Sequence, residues 1–445
     1  MSGDRQQAAA SVTRRCALGG LAAAPLVGGL PHIARALAAQ TLKFWHVYAP
    51  GGGEARQSKW FEDMVASWNA SHEPKVELVY VPHDAYIGAT LLPSAFAAGA
   101  GPDLFLISAG DFLRYYNDGV LLELTPFMDQ AARDDFFPGV VASQMVNNRL
   151  YGLPLEVAPM AMFYSVEAFD KAGLSEKDIP RTWDELLTLA NKLTTPERFG
   201  VLFETMPGHY QNFSWYPWLW QGGGEIVSRD GKSAFNSPAA VQALKFWRDA
   251  INSGAAARQP RGGGGWDSVR NIGSGYCAMQ NIGAWAISQL REGAPKFKYG
   301  VFKLPAPPGG KAVTIAGGWA FAANARGANP KAAGEFCAWA LGAMKPDSVA
   351  RGVDWCAKAS SAMPPRKSVL AAGKSAFASG LLKVFAEQIY PRARAEPRLP
   401  PPVNKAISDA IQSCQLGGVD PQDAAAAASR EIDGFLAGYR GAPIL

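Results

Sequence analysis

The chain is poor in the residues that most often do chemistry. Among its 445 residues, only His46, His72, His83 and His209 are histidines beyond position 40, and only Cys277, Cys337, Cys356 and Cys414 are cysteines there. None of them forms an HExxH or CxxC spacing, which removes the common zinc arrangements. There is no GxSxG nucleophile elbow and no GxxxxGK[ST] phosphate loop, and the glycine runs Gly51–Gly53 and Gly262–Gly265 lack dinucleotide spacing. A carboxylate pair of the kind used in glycoside hydrolysis is the one enzymatic arrangement that these absences leave open. Charge of one sign is also scarce. Of 43 basic and 38 acidic residues, Arg5, Arg14, Arg15, Arg35 and Asp4 precede residue 40, so the remainder is nearly neutral. Nothing in that balance points to nucleic acid or an acidic membrane. No apolar run after residue 40 is long enough to span a bilayer. Four cysteines in an oxidising compartment allow three pairings, and spacing does not choose among them.

What is present begins with a leader. Arg14 and Arg15 stand before an apolar, glycine-rich stretch, Ala17 to Leu30, broken at Pro31 and followed by small residues at Ala36 and Ala38. This layout resembles a twin-arginine secretory signal over residues 1–39, cleaved near Ala38–Gln40. Cys16 precedes the apolar stretch and is badly placed for lipidation. The expected product is a free, exported, periplasmic protein.

Beyond the leader, strand and helix patterns alternate. Thr41 to Ala49 reads as a strand, and Trp60, Phe61, Met64, Val65 and Trp68 follow at helical spacing. Lys75 to Val81 and Pro102 to Ile107 read as further strands separated by a helical stretch over Tyr86 to Ala98. Such alternation predicts a largely parallel α/β sheet whose ligand-bearing loops gather at the strand carboxyl ends. Leu150 to Tyr164 is apolar and broken by prolines, suited to carrying the chain between lobes. Thr182 and Glu185 fit a capping box for a helix ending about Leu193. Ser237-Pro238 opens another helix, with Val241, Leu244, Trp247 and Ile251 on one face and a stop at Gly254. Residues 299 to 305 read as a second crossing between lobes. After Asn329-Pro330 helices are expected to the end, interrupted at Pro397 to Pro402. Trp215, Trp218 and Trp220 fall within six residues; indoles suit both core packing and stacking on sugar faces.

Several segments in this order resemble the family 1 extracellular solute-binding proteins of bacterial ABC importers, in particular the carbohydrate and glycerol-phosphate binders. They are Gly101-Pro102-Asp103-Leu104-Phe105, Phe163 to Leu174, Pro180 to Leu186, Gly222 to Ile226, Phe235-Asn236-Ser237-Pro238, Cys277-Ala278-Met279 with Gly283-Ala284-Trp285, and Gly317-Gly318-Trp319. The ending Gly417 to Ala424 belongs with them. The family often has asparagine where Ser165 stands.

The resemblance implies an α/β, two-lobed periplasmic binding protein fold with hinge strands and an interlobe cleft. Lobe 1 would hold 40–154 and 306–350, and lobe 2 would hold 155–305 and 351–445. It implies a non-enzymatic monomer without cofactor or metal. Such a protein captures a carbohydrate, with a di- or oligosaccharide favoured, and delivers it to the inner-membrane permease subunits of an ABC importer. Expected ligand contacts are His46, Tyr48, Ser108, Asp111 and Glu156, then Trp215, Trp266 and Trp285, then Gly318, Trp319 and Arg398. Asp111 could instead cap a helix, Trp215 and Trp266 could be core, and Arg398 could bridge lobes. The alternatives are a glycerol 3-phosphate or polyol binder of the same fold, a sensor partner, and an exported glycoside-active enzyme.

Overall fold

The structure, a computed structural model, describes residues 41–88 and 90–444; the expected leader lies outside them. Strands β1 (Leu42–His46), β2 (Val76–Tyr80) and β3 (Leu104–Ile107) alternate with helical segments, beginning with α1 (Ala55–Ser71). In β1, Leu42, Phe44 and His46 point inward while Lys43 is exposed, the period-2 pattern of a strand covered on one side. All four residues of β3 are buried, as a central strand requires. Helix α2 (Ala109–Asn117) follows β3 directly.

The chain then runs through β4 (Leu153–Pro154) into β5 (Ala158–Ser165), α3 (Trp183–Leu193), β6 (Phe199–Leu202), α4 (His209–Gln221), α5 (Pro238–Asn252), β7 (Cys277–Gly283), α6 (Ala286–Gly293) and β8 (Tyr299–Phe302). It closes with β9 (Thr314–Gly317), β10 (Ala320–Ala323), β11 (Ala393–Ala395), α7 (Pro401–Gln415) and α8 (Pro421–Leu436). One sheet has the order β2-β1-β3-β10-β4, and the second β11-β9-β5-β7-β6, with β8 also on β5. Each sheet anchors a lobe. β1, β2 and β3 are mutually parallel, so their carboxyl ends share one rim.

The predicted helix signals are seen in atomic detail. Thr182 Oγ1 accepts from the Glu185 amide at 3.2 Å, and Glu185 Oε2 accepts from the Thr182 amide at 3.1 Å, closing a reciprocal capping box on α3. Ser237 caps α5 with Pro238 in its first turn, and Leu244, Trp247 and Ile251 are buried while Val241 is only half-buried. The aromatic segment is a helix, α4, although it contains Pro217 and every residue from Gln211 to Gln221 is buried. A helix covered all round shows no apolar stripe, and for that reason its periodicity was not readable.

Three passages between the lobes shape the cleft. Leu150 to Tyr164 does cross, β4 pairing with β10 and β5 lying in the second sheet. Along β5, Ala161 and Phe163 face one core and Met160, Met162 and Tyr164 the other, so both faces of this strand are covered. The return crossing differs from the expectation at 305–306. β8 stays on β5, and β9 still belongs to the second sheet through Ala316 opposite Pro159. The chain changes sheet only at Gly318-Trp319. Gly318 has φ +133°, and a Cβ there would lie 2.6 Å from the Glu156 carbonyl oxygen, so the crossing needs glycine. The expected switch to lobe 2 at 351 also falls later. Trp355 packs on Trp60 at 4.8 Å, and Arg366 pairs with Asp135 at 2.7 Å, both on the first lobe. The chain then reaches Phe163 through Phe385 and joins the second sheet at β11, a strand inside the stretch read as helical.

Cys277, Cys337, Cys356 and Cys414 are four separate buried thiols. Among the described residues no helix is long and apolar enough to cross a membrane.

Candidate functional site

The rim formed by the carboxyl ends of β1 and β3 faces the first turn of α4, and a cavity lies between them. It leaves about 90 Å³ for the centres of water-sized molecules. From the first lobe its wall receives Tyr48 after β1, Glu54 and Gln57 at the start of α1, His83 after β2, and Ser108 after β3. The second lobe contributes His209, Tyr210 and Phe213 from α4, Trp266 from the glycine-rich loop, and Trp285 and Gln289 around α6. The crossings supply Glu156, Ala158, Gly318, Trp319 and Glu396. An outer recess of about 420 Å³ shares Glu54, His83, Trp266 and Gln289 with the cavity, so the cleft continues outward past the paired His83 and Trp266 rings. Those rings stack across the lobes with centroids 4.1 Å apart.

A second interlobe contact lies deeper. Ser108 Oγ is 3.2 Å from His209 Nε2, which is also 3.1 Å from Glu396 Oε1. Ser108 doubles as the N-cap of α2, accepting from the Asp111 amide. His209 approaches so closely that a Cβ on Gly110 would lie 2.3 Å from its Cε1. The glycine-rich loop under Trp266 is fixed by Glu204, whose Oε2 accepts from the Gly265 amide at 2.7 Å. Gln280 donates to the Gly265 carbonyl, and Trp285 Nε1 donates to the Trp266 carbonyl.

Burial and pairing set the charges on this wall. Burial works against a charge on His209, but the Glu396 carboxylate, and Asp111 farther off, override it and raise its pKa to about 9. His83 is pushed down to about 4 by burial and is neutral near pH 7. Burial raises Glu54 to about 7, against the Ala49 amide that donates to its Oε2. Glu156 is also raised by burial, although Ser360 Oγ and Trp355 Nε1 both donate to its Oε2, at 2.6 and 2.8 Å. His83 Nδ1, Tyr210 Oη and Trp266 Nε1 are buried without a hydrogen-bond partner. Buried polar atoms without partners occur elsewhere too, at Trp215 and Trp247 among others, but these three line the cavity, where a polar solute would meet them. Among the described residues no group of three histidines, cysteines or carboxylates could hold a metal ion.

Of the expected contacts, Tyr48, Ser108, Glu156, Trp266, Trp285, Gly318 and Trp319 come together on this wall. The other four do not. His46, the last residue of β1, is buried with its ring stacked on Phe61 at 5.0 Å and does not reach the cavity, whereas Tyr48, two residues past the strand end, lines it. Trp215 is fully buried against Phe235, on the far side of α4. Asp111 stands one turn into α2 near Arg114 and acts on His209 only at a distance. Arg398 donates to the Met145 and Pro443 carbonyls and lies over Phe112, so it ties chain segments together instead of facing the cavity. Sequence reasoning missed Glu54, His83, His209, Tyr210, Phe213 and Glu396. Glu54 and His83 carried a signal, their places in the rim loops after the first and second strands. His209 and Glu396 sit 187 positions apart and meet only through the fold.

Comparison with known proteins agrees with this architecture. Residues 51–344 match the bacterial extracellular solute-binding protein family. A putative binding protein of Brucella abortus is 26% identical over 260 residues, covering 58% of this chain and 62% of that protein. The match thus spans less than two thirds of that relative's length. A probable ABC transporter-binding protein of Deinococcus radiodurans is 30% identical over 294 residues, covering 63% of this chain and 68% of that protein. Among solved structures, an ABC transporter solute-binding protein from Thermotoga lettingae, bound with alpha-D-tagatose, superimposes with a TM-score of 0.75 at 22% identity, covering 89% of this chain and 99% of that one. With two α/β lobes, a walled interlobe cavity and a family match over most of its described length, the chain belongs to the bacterial extracellular solute-binding proteins.

Proposed function

We propose that this protein captures a carbohydrate between its lobes and delivers it to the permease of an ABC importer. The observation that carries the reading is the cavity wall itself. Trp266, Trp285, Trp319, Tyr48, Tyr210 and Phe213 offer flat apolar surface, while Glu54, Glu156, Glu396, Gln57, Gln289 and Ser108 offer acceptors and donors between them. Sugar rings present the matching alternation of C–H faces and hydroxyl edges. The inner cavity is small, and the outer recess gives further sugar units a path, which favours a di- or oligosaccharide. A glycerol phosphate fits this wall poorly, since no lysine or arginine lines the inner cavity.

In this reading the protein acts as a monomer in the periplasm, exported by the leader over residues 1–39, and has no nucleic-acid partner. It is a binder and not a glycosidase, so its ligand leaves chemically unchanged. Isothermal calorimetry against mono-, di- and oligosaccharides, polyols and glycerol 3-phosphate tests this, with chromatography of the recovered ligand. Saturable binding of a neutral or amino-bearing carbohydrate, recovered intact, is expected. Binding of glycerol 3-phosphate alone, or recovery of hydrolysed sugar, overturns it.

A further inference from the structure

Three carboxylates, Glu54, Glu156 and Glu396, share one small cavity wall that includes no lysine or arginine. The single cation of the wall, His209, lies within 3.1 Å of Glu396 and is matched by it. Glu54 and Glu156 receive only neutral donors: the Ala49 amide for the first, Ser360 and Trp355 for the second. A buried carboxylate with no counter-charge is costly unless it takes a proton or meets a cation. The upward pull of burial on both groups is that cost expressed as proton affinity.

The other half of the wall is aromatic, with three indoles, two phenols and a phenyl ring. The faces of such rings attract cations, most strongly where water is excluded. The carboxylates are spread around the cavity without converging, and among the described residues no set of three could coordinate a metal ion. Spread carboxylates and ring faces suit an ammonium group mounted on an organic framework, which meets them along its length. An anionic sugar would meet two unmatched carboxylates, and the one cation of the wall, His209, is already paired with Glu396.

We propose that the solute held in the inner cavity is an amino sugar carrying a protonated amine, in preference to its neutral or anionic counterparts. This rests on the carbohydrate reading above and narrows its substrate class.

The test is calorimetry at pH 7 with matched pairs: D-glucosamine against D-glucose, D-galactosamine against D-galactose, and the fully deacetylated chitin disaccharide against cellobiose. The N-acetyl forms serve as neutral controls. At least one amine is expected to bind tenfold or more tightly than its hydroxyl parent, with the advantage lost on acetylation. Glu54→Gln and Glu156→Gln, two isosteric variants, should each narrow that ratio at least threefold. If hydroxyl parents bind as tightly as the amines, or more tightly, the amine proposal is overturned and the carbohydrate reading stands. If no carbohydrate of either kind binds, both fall.

Discussion

Trp319 ends the crossing between β9 and β10, with its ring at the cavity and its neighbours His83 and Tyr86 packed edge-to-face at 6.3 and 6.0 Å. Truncating it removes a stacking surface at the half-buried edge of the first core and leaves the strand pairing of both sheets in place. Trp319→Ala should weaken carbohydrate binding at least tenfold, read by calorimetry, with the unfolding midpoint of the unliganded protein little changed. His209 makes a prediction of a different kind. Its pKa rises from 6.5 to about 9 in the folded protein, so the His209–Glu396 pair contributes fully below about pH 6.5. That contribution, roughly 3 kcal/mol from the size of the shift, is lost as pH climbs through 9. Denaturant titrations between pH 6 and 10 should show stability falling across this window, and His209→Gln should flatten the fall. Both residues were unequally visible in the sequence. Trp319 announced itself beside two glycines, whereas His209 looked like an isolated histidine in an aromatic run, because its partners Ser108 and Glu396 come from distant segments.

Elements whose signals are local were legible. The capping box of α3 needs only four consecutive residues, and the structure reproduces it atom for atom. Thr182→Ala should cost about 1 kcal/mol in chemical denaturation, with m unchanged. The helices α1 and α5 could be read from their one-sided apolar spacing, and β1 and β3 from alternation and continuous burial. Helix α4 defeated the same method because no side of it meets water. The short strand β11 was missed for a related reason. Ala393–Ala395 pairs with β9 only through backbone groups, and its exposed residues carry no alternation. The depth of α4 matters for the cavity, since its N-terminal end presents His209, Tyr210 and Phe213 to it while the later turns, buried on every side, hold that end in place.

At the scale of the whole molecule, two sheets joined by three crossings put cavity-lining residues on both lobes, so a solute bound there would favour the arrangement in which the lobes meet. The crossings bracket the cavity with Glu156 from the first, Gly318 and Trp319 from the second and Glu396 from the third. Their exact places were not readable from composition. β9 is as strand-like as β8, and only pairing partners decide that the sheet changes at Gly318 and not near residue 305. The late return of the chain has a stability consequence. Arg366 and Asp135 are both buried and pin the segment after Trp355 to the first lobe, with Ser368 adding two more bonds to Asp135. Arg366→Ala leaves that carboxylate uncompensated and should destabilise the protein by about 3–5 kcal/mol in denaturant titration. Carbohydrate affinity, measured below the unfolding midpoint, should stay within about threefold.

The cavity between the lobes is the centre of the functional reading, and thermal unfolding of the wild-type protein beside Trp319→Ala tests it most directly. Each is scanned with and without the same panel of neutral and amino-bearing carbohydrates. A solute that binds only the folded state raises the midpoint by mass action, by about 2.7 kcal/mol of stability at one hundred times its dissociation constant. The predicted result is a clear rise for the wild-type protein with at least one carbohydrate, and a rise largely lost in Trp319→Ala. An equal rise in both proteins would place the binding site elsewhere, and no rise with any carbohydrate would contradict the assignment of the ligand class.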